Sequence, residues 1–312
     1  YISGYRNIWL MLIVIAVRSL GQGIQQPAVS AMIPQIVPQG SLQRFNGIQS
    51  TIQSLNMFAA PMAAGALLSF MPIERIFFID VATAAAGIGI IFVFVKVSGL
   101  PRKEKAQAGL KAYIDELREG LRYIGSQPWL KVIIAYSAFF NFFASPAALL
   151  TPLQTARAFG DDVWRLAAIE ILFSLGAAAG GIVMSIWGGF KNKAHTIALA
   201  CALFGLTSVL LGIVPVFPVY LAVMLACGLT IPMFHTPSMT LMQTKIEPDK
   251  MGRVFSVMMM FSGLAMPLGM VVFGPLGDAI RIEWLLIFTG MAILISGAAL
   301  LKSKALLEAG KP

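Results

Sequence analysis

Charge is scarce in this sequence of 312 residues: Asp, Glu, Lys and Arg make up 12%, about half the share usual in a soluble domain. Cysteine and histidine are nearly missing, with two of each. Cys201 and Cys227 both sit inside apolar runs, which excludes a disulfide framework and a Cys-rich metal centre. Two histidines do not make a zinc-enzyme ligand set, so no metal is expected. Acidic residues are outnumbered 14 to 23, giving a formal charge of +9. Those cations lie in short loops between apolar stretches rather than on one basic domain or stripe, so nucleic acid is not an expected partner. Enzyme signatures are missing as well. Gly21-Gln22-Gly23 lacks the third glycine and the strand context of a dinucleotide site, and there is no Walker A run and no HExxH. The chain is therefore read as a non-enzyme without a bound cofactor, and ATP is not its energy source. No basic n-region with a cleavage site precedes the first apolar run, and the chain, opening at Tyr1, is expected to be a piece of a longer protein.

What is present is apolar length. Hydrophobic residues make up 58% of the chain and the mean hydropathy is +0.81. A helix needs roughly 20 apolar residues to cross a hydrocarbon core of about 30 Å, because every backbone amide must be satisfied internally there. Nine segments qualify: Ile8 to Met32, Gly47 to Phe70, Ile73 to Val97, Trp129 to Leu153, Leu166 to Trp187, His195 to Val214, Phe217 to Met239, Phe255 to Leu276 and Trp284 to Leu301. An all-α, multi-pass protein of the cell membrane follows as the expectation. Lys and Arg sort onto alternate loops. Arg44, the run from Lys96 to Lys131, Lys191 and Lys193, then Lys245, Lys250 and Arg253, and finally Lys302, Lys304 and Lys311 fall on one side. The opposite loops hold Arg6, Arg75, Arg157, Arg165 and Arg281. The positive-inside rule makes the first group cytoplasmic, with the C-terminus inside.

The longest polar stretch, between Val97 and Pro128, carries Leu110, Ile114, Leu117, Leu121 and Ile124 at helical spacing among charges. It predicts an amphipathic helix on the cytoplasmic face, joining two membrane-embedded parts. An internal repeat supports that division. Pro27 and Pro38 recur at the same spacing as Pro237 and Pro248, with Arg44 and Arg253 following at similar distances. Pro61 echoes Pro267, and Ile73-Glu74 echoes Ile282-Glu283. Parallel repeats of this kind predict two bundles with a substrate site between them near mid-membrane. The expected units are residues 1–97, a linker at 98–128, a second bundle at 129–302 and a tail at 303–312.

Arg18-Ser19-Leu20-Gly21, Pro27-Ala28 and Ile33-Pro34-Gln35-Ile36-Val37-Pro38 resemble helix four of macrolide-efflux-type major facilitator exporters. Gly252-Arg253-Val254-Phe255-Ser256 and Pro267-Leu268-Gly269 resemble their helix eleven. The chain is also similar to the enterobactin-exporter branch. The resemblance implies a major facilitator fold lacking its first three helices, with family helices four to twelve present. It further implies a monomer in the lipid bilayer that exports a small amphipathic compound, such as a drug, a macrolide or a siderophore-like molecule, at the expense of the proton gradient. An importer or lysolipid transporter of the same fold, or a non-transporting membrane scaffold, are the alternatives. The loop Gly188-Gly189-Phe190-Lys191-Asn192-Lys193 lacks the acid of the family's Gly-Asp-Arg signature, and the helix-five antiporter signature stands here as Ala59-Ala60-Pro61-Met62-Ala63-Ala64-Gly65.

Candidate transport residues follow from polarity in apolar surroundings. Arg18 near mid-span needs an interior partner, and reads as a proton-coupling or anion-attracting group or as a structural arginine. Asp80 and Glu170 lie near the outer ends of their spans and read as proton carriers or as partners of a nearby arginine. His235, beside Thr236 and Pro237, is a further coupling candidate or a structural histidine. Asn46, Gln49, Gln53 and Asn56 recur at i, i+3, i+7 and i+10 and share one helical face. That row either lines a cavity or joins helices by hydrogen bonds. Gly176 and Gly180 form a GxxxG pattern and, with Pro61, Gly65, Pro267 and Gly269, are read as helix-packing positions. Arg44 and Arg253 are expected in cytoplasmic loops, and Met258, Met259, Met260 and Met266 as packing, lipid-facing or adaptable ligand surface.

Overall fold

The computed structural model describes residues 8–70, 73–94, 110–160 and 162–311. Among these residues every regular element is helical: α1 (Ile8–Ile36), α2 (Leu42–Phe70), α3 (Ile73–Phe94), α4 (Leu110–Ser126), α5 (Pro128–Leu149), α6 (Thr151–Ala158), α7 (Val163–Trp187), α8 (Lys193–Ile213), α9 (Phe217–Lys245), α10 (Met251–Ala279), α11 (Ile282–Leu300) and α12 (Lys304–Ala309). A chain this apolar has no alternative, because only a helix satisfies its own backbone in lipid. Six helical stretches among the described residues are long and apolar enough to span a membrane: Pro128–Ala158, Trp164–Trp187, Lys193–Ile213, Phe217–Lys245, Met251–Ala279 and Ile282–Leu300. Their outward faces carry bare apolar side chains such as Ile186, Ile213, Val271, Phe288 and Ile295, the distribution expected where the solvent is hydrocarbon.

Internal prolines break less than they would in water. Pro146 cannot donate to the Phe142 carbonyl, and the Ser145 hydroxyl donates to it instead at 2.8 Å. The expected span from Trp129 to Leu153 ends as a regular helix at Leu149, and the chain restarts as α6, with Pro152 in its first turn. Elsewhere the helices run past the expected spans, α9 reaching Lys245 and α2 beginning at Leu42.

Helices α5 and α7 to α11 form one bundle, with α8 against α11, α7 against α9 and α5 against α10. At its centre Phe140 stacks on Phe234 at 4.2 Å between ring centroids and meets Phe204 at 4.9 Å. Close approach of α7 and α9 depends on missing side chains. A Cβ at Gly176 would strike the Leu225 carbonyl and one at Gly180 the Leu229 carbonyl, while Gly228 lies equally close to Phe173. The turn before α8 uses Gly188 and Gly189 at φ of +69° and +73°, a left-handed conformation that a side chain disfavours. Asn192 then caps α8 by accepting from the Ala194 amide at 3.0 Å and holds α12 by donating to the Leu307 carbonyl at 2.9 Å.

The expected amphipathic helix is α4. It packs on α10 and α5, with Ile124 buried and Ile114 and Leu121 exposed. Glu119 accepts from the Lys250 ammonium at 2.6 Å and pairs with Arg253. This fixes α4 to the beginning of α10. The hydrogen bond from Lys250 to Glu119 raises the lysine's pKa above its ordinary value, so the ammonium stays charged throughout the neutral range.

Candidate functional site

Helices α1 and α2 approach the bundle through α7, α9 and α10. The approach is closest at one end. Gly47, in the second turn of α2, lies so near α7 that a Cβ there would stand 2.6 Å from the Ser185 amide nitrogen and 2.9 Å from the Gly181 carbonyl oxygen. One turn on, Thr51 donates to the Ala178 carbonyl at 3.3 Å. Beside this seam the buried Asn46 amide donates to Thr240 Oγ1 at 3.0 Å and to Gln243 Oε1 at 2.7 Å, and Gln243 donates to the Ser30 carbonyl at 3.4 Å. One amide cluster thus joins the last turns of α1, the first of α2 and the last of α9. All of these contacts lie at the end marked by Arg44, Lys245 and Lys250.

Above that cluster α1, α2, α5, α9 and α10 leave a cavity of about 510 Å³. Its wall is unlike the rest of the molecule. Gln22, Gln25 and Gln26 come from α1, Gln49 and Gln53 from α2, Ser137 from α5, His235 and Thr236 from α9, and Met258, Met259 and Ser262 from α10. Among the described residues the wall has no carboxylate, ammonium or guanidinium. It offers dipoles and one imidazole, and so can hydrogen-bond a polar solute without fixing a charge. The volume falls within the few-hundred-Å³ range of sites for small organic molecules.

A second, larger hollow of about 700 Å³ opens at the opposite end of the bundle between α6, the α8–α9 turn and the start of α11. It lies within the bundle alone and away from α1 and α2. Its cations are already paired, Arg157 with Asp278 at 3.1 Å and Arg281 with Glu283 at 3.4 Å. Geometry that joins the two portions of the chain therefore favours the amide-lined cavity as the site.

Of the residues singled out from the sequence, Asn46, Gln49, Gln53 and His235 line this cavity, as do Met258 and Met259. Asn56 is exposed and outside the wall, and Glu170 is exposed on α7 away from it. The side chains of Arg18, Asp80, Pro61 and Gly65 lie outside the residues described. Gly176 and Gly180 face α9, and Gly269 on α10 would meet Ser145 and the Phe142 carbonyl of α5 if it carried a Cβ. Pro267 and Arg44 are exposed, and Arg253 is the partner of Glu119. Sequence reasoning missed Gln22, Gln25 and Gln26, whose spacing of three and four residues is itself a helical-face signal, and it missed Gln243.

Comparison with known proteins agrees with this architecture. Residues 1–270 match the family model of the Major Facilitator Superfamily. Macrolide efflux protein A of Streptococcus pyogenes is 27% identical over 293 residues, covering 92% of this chain and 71% of that protein. Macrolide efflux protein A of Enterococcus faecalis is 28% identical over 269 residues, covering 84% and 81% respectively. The multidrug efflux pump Tap of Mycobacterium bovis is 22% identical, covering 97% of this chain and 72% of the pump.

Proposed function

The chain belongs to the Major Facilitator Superfamily, and from that membership we propose that it is a proton-coupled exporter of a small amphipathic compound, with macrolides the first class to test. Membership makes it a multi-pass membrane transporter rather than an enzyme. The macrolide assignment draws on the relatives' names. The single observation that carries the reading is the amide-lined cavity between α1–α2 and the bundle, a polar hollow in an otherwise apolar protein. In this reading α1 to α3 correspond to family helices four to six, α4 is the cytoplasmic linker, and α5 and α7 to α11 correspond to helices seven to twelve. The linker reading is supported by the joint between Glu119, Lys250 and Arg253. Residues 81–90 of α3 are exposed on every side, which suits a helix whose natural neighbours are family helices one to three.

The lysine- and arginine-rich end is cytoplasmic in this reading, and so is the C-terminus. The Asn46 cluster then closes the cavity on the cytoplasmic side, and the conformation described here faces outward. Export proceeds as the two portions rock about the cavity, exposing it to each side in turn. Proton coupling falls to Arg18, Asp80, Glu170 and His235, of which His235 has support from its place on the cavity wall.

Uptake of labelled erythromycin into inside-out vesicles bearing the protein, with and without a protonophore, tests the proposal. Accumulation that collapses with the gradient is expected. Accumulation unchanged by the protonophore would remove proton coupling, and none at all would remove export of macrolides.

A further inference from the structure

Hydroxyl side chains inside a helix normally bond back to a carbonyl three or four residues earlier. On this cavity wall Ser238 does so to Phe234 at 2.7 Å. The neighbouring Thr240 does so to Thr236 at 2.8 Å, and Ser256 on α10 bonds to Gly252 at 2.9 Å. Two wall hydroxyls break the pattern. Thr236, on a residue 2% exposed, and Ser262 each hold a buried oxygen with no hydrogen-bond partner. They come from different helices, α9 and α10, and both line the same cavity. A buried hydroxyl left without a partner is destabilising, so a pair of them on one wall is a site awaiting a donor or acceptor from outside the protein.

The surroundings narrow the class of partner. Met258 and Met259 precede Ser262 by about one turn on the same wall, a flexible apolar surface beside the hydroxyls. The wall among the described residues has no ionised side chain to pair with a charged group. We propose that Thr236 and Ser262 are the specificity-determining contacts of this transporter, together receiving an uncharged oxygen function of the substrate, a hydroxyl or a carbonyl, beside an apolar portion held by the two methionines. The inference rests on the export reading and deepens it.

The test is equilibrium binding of radiolabelled erythromycin, which carries several hydroxyls and carbonyls, to the purified full chain and to Thr236→Val, Thr236→Ser and Ser262→Ala. The thermal midpoint of each ligand-free variant is measured alongside. Thr236→Val and Ser262→Ala are each expected to weaken binding about three- to tenfold, with Thr236→Ser restoring it. Because neither hydroxyl has a partner within the protein, the ligand-free midpoints of Thr236→Val and Ser262→Ala should hold or rise. Wild-type affinity in both variants would overturn the assignment, and so would weakened binding accompanied by a fallen midpoint, the mark of a structural hydroxyl. Failure of the wild-type protein to bind erythromycin would instead overturn the export reading, a result separable from the first two.

Discussion

Replacing Asn46 by alanine should open the cytoplasmic side of the cavity. The Asn46 amide makes two of the hydrogen bonds that join α2 to α9, at 3.0 Å and 2.7 Å, and its loss frees Gln243, which also holds the Ser30 carbonyl of α1. A net contribution of about 0.5–1.5 kcal/mol for each bond gives roughly 1–3 kcal/mol in favour of the closed end. At 1.4 kcal/mol per tenfold, that is about a 5- to 150-fold change in the ratio of closed to open molecules. Nitroxide labels at Arg44→Cys and Lys245→Cys report it directly, since both positions are exposed beside the seam. The native Cys201 and Cys227 are each 1% exposed and should escape labelling. Pulsed electron–electron double resonance should give a single short distance in the parent and a second, longer population in Asn46→Ala. Identical distributions would refute the claim that this amide cluster holds the end shut.

Three further outcomes follow from the same contacts. Gly47→Ala places a methyl against the α7 backbone and should destabilise the protein by about 1–3 kcal/mol in thermal-shift measurements, whereas Gly252→Ala, with nothing within 4 Å of its Cβ, should not. Gln53→Leu should weaken macrolide binding about three- to tenfold, while Asn56→Leu, on the same helix but outside the cavity wall, should leave it unchanged. Glu119→Gln should release α4 from α10, seen as greater mobility of a spin label at Ile114→Cys. Because the pairing raises the folded pKa of Lys250, its stabilisation is present below the ordinary lysine value of about 10.4 and is lost only as pH rises through the elevated one. Label mobility in the unsubstituted chain should therefore stay constant across the neutral range.

The helices were legible because hydrocarbon allows so few alternatives, and the amide row was legible because polar side chains at helical spacing stand out against apolar neighbours. Asn46, Gln49 and Gln53 reach the cavity, but Asn56 does not, since spacing says which residues share a face and not how far along it a neighbouring helix extends. Hydropathy also marks the thickness of the hydrocarbon rather than the length of the helix. For that reason the expected end of α9 at Met239 fell one turn short of Gln243, where the polar run through Lys245 lowers the hydropathy but the helix continues. The expected start of α2 at Gly47 likewise fell inside the true first turn at Leu42. Glutamines 22, 25 and 26 carried a readable spacing that was overshadowed by Arg18 nearby. The unpartnered state of Thr236 and Ser262 was not readable at all. Whether a helical hydroxyl bonds back to its own carbonyl depends on three-dimensional surroundings, and Thr236 and Ser238, two residues apart, differ in this respect.

The central claim is that one cavity between α1–α2 and the bundle serves both sides of the membrane and must open at the Asn46 end for substrate to load from the cytoplasm. A disulfide between Asn46→Cys and Thr240→Cys, at positions whose side chains are 3.0 Å apart, would hold that end shut. Macrolide export by the oxidised double variant should stop and return on reduction. Undiminished export from fully cross-linked protein would contradict the account.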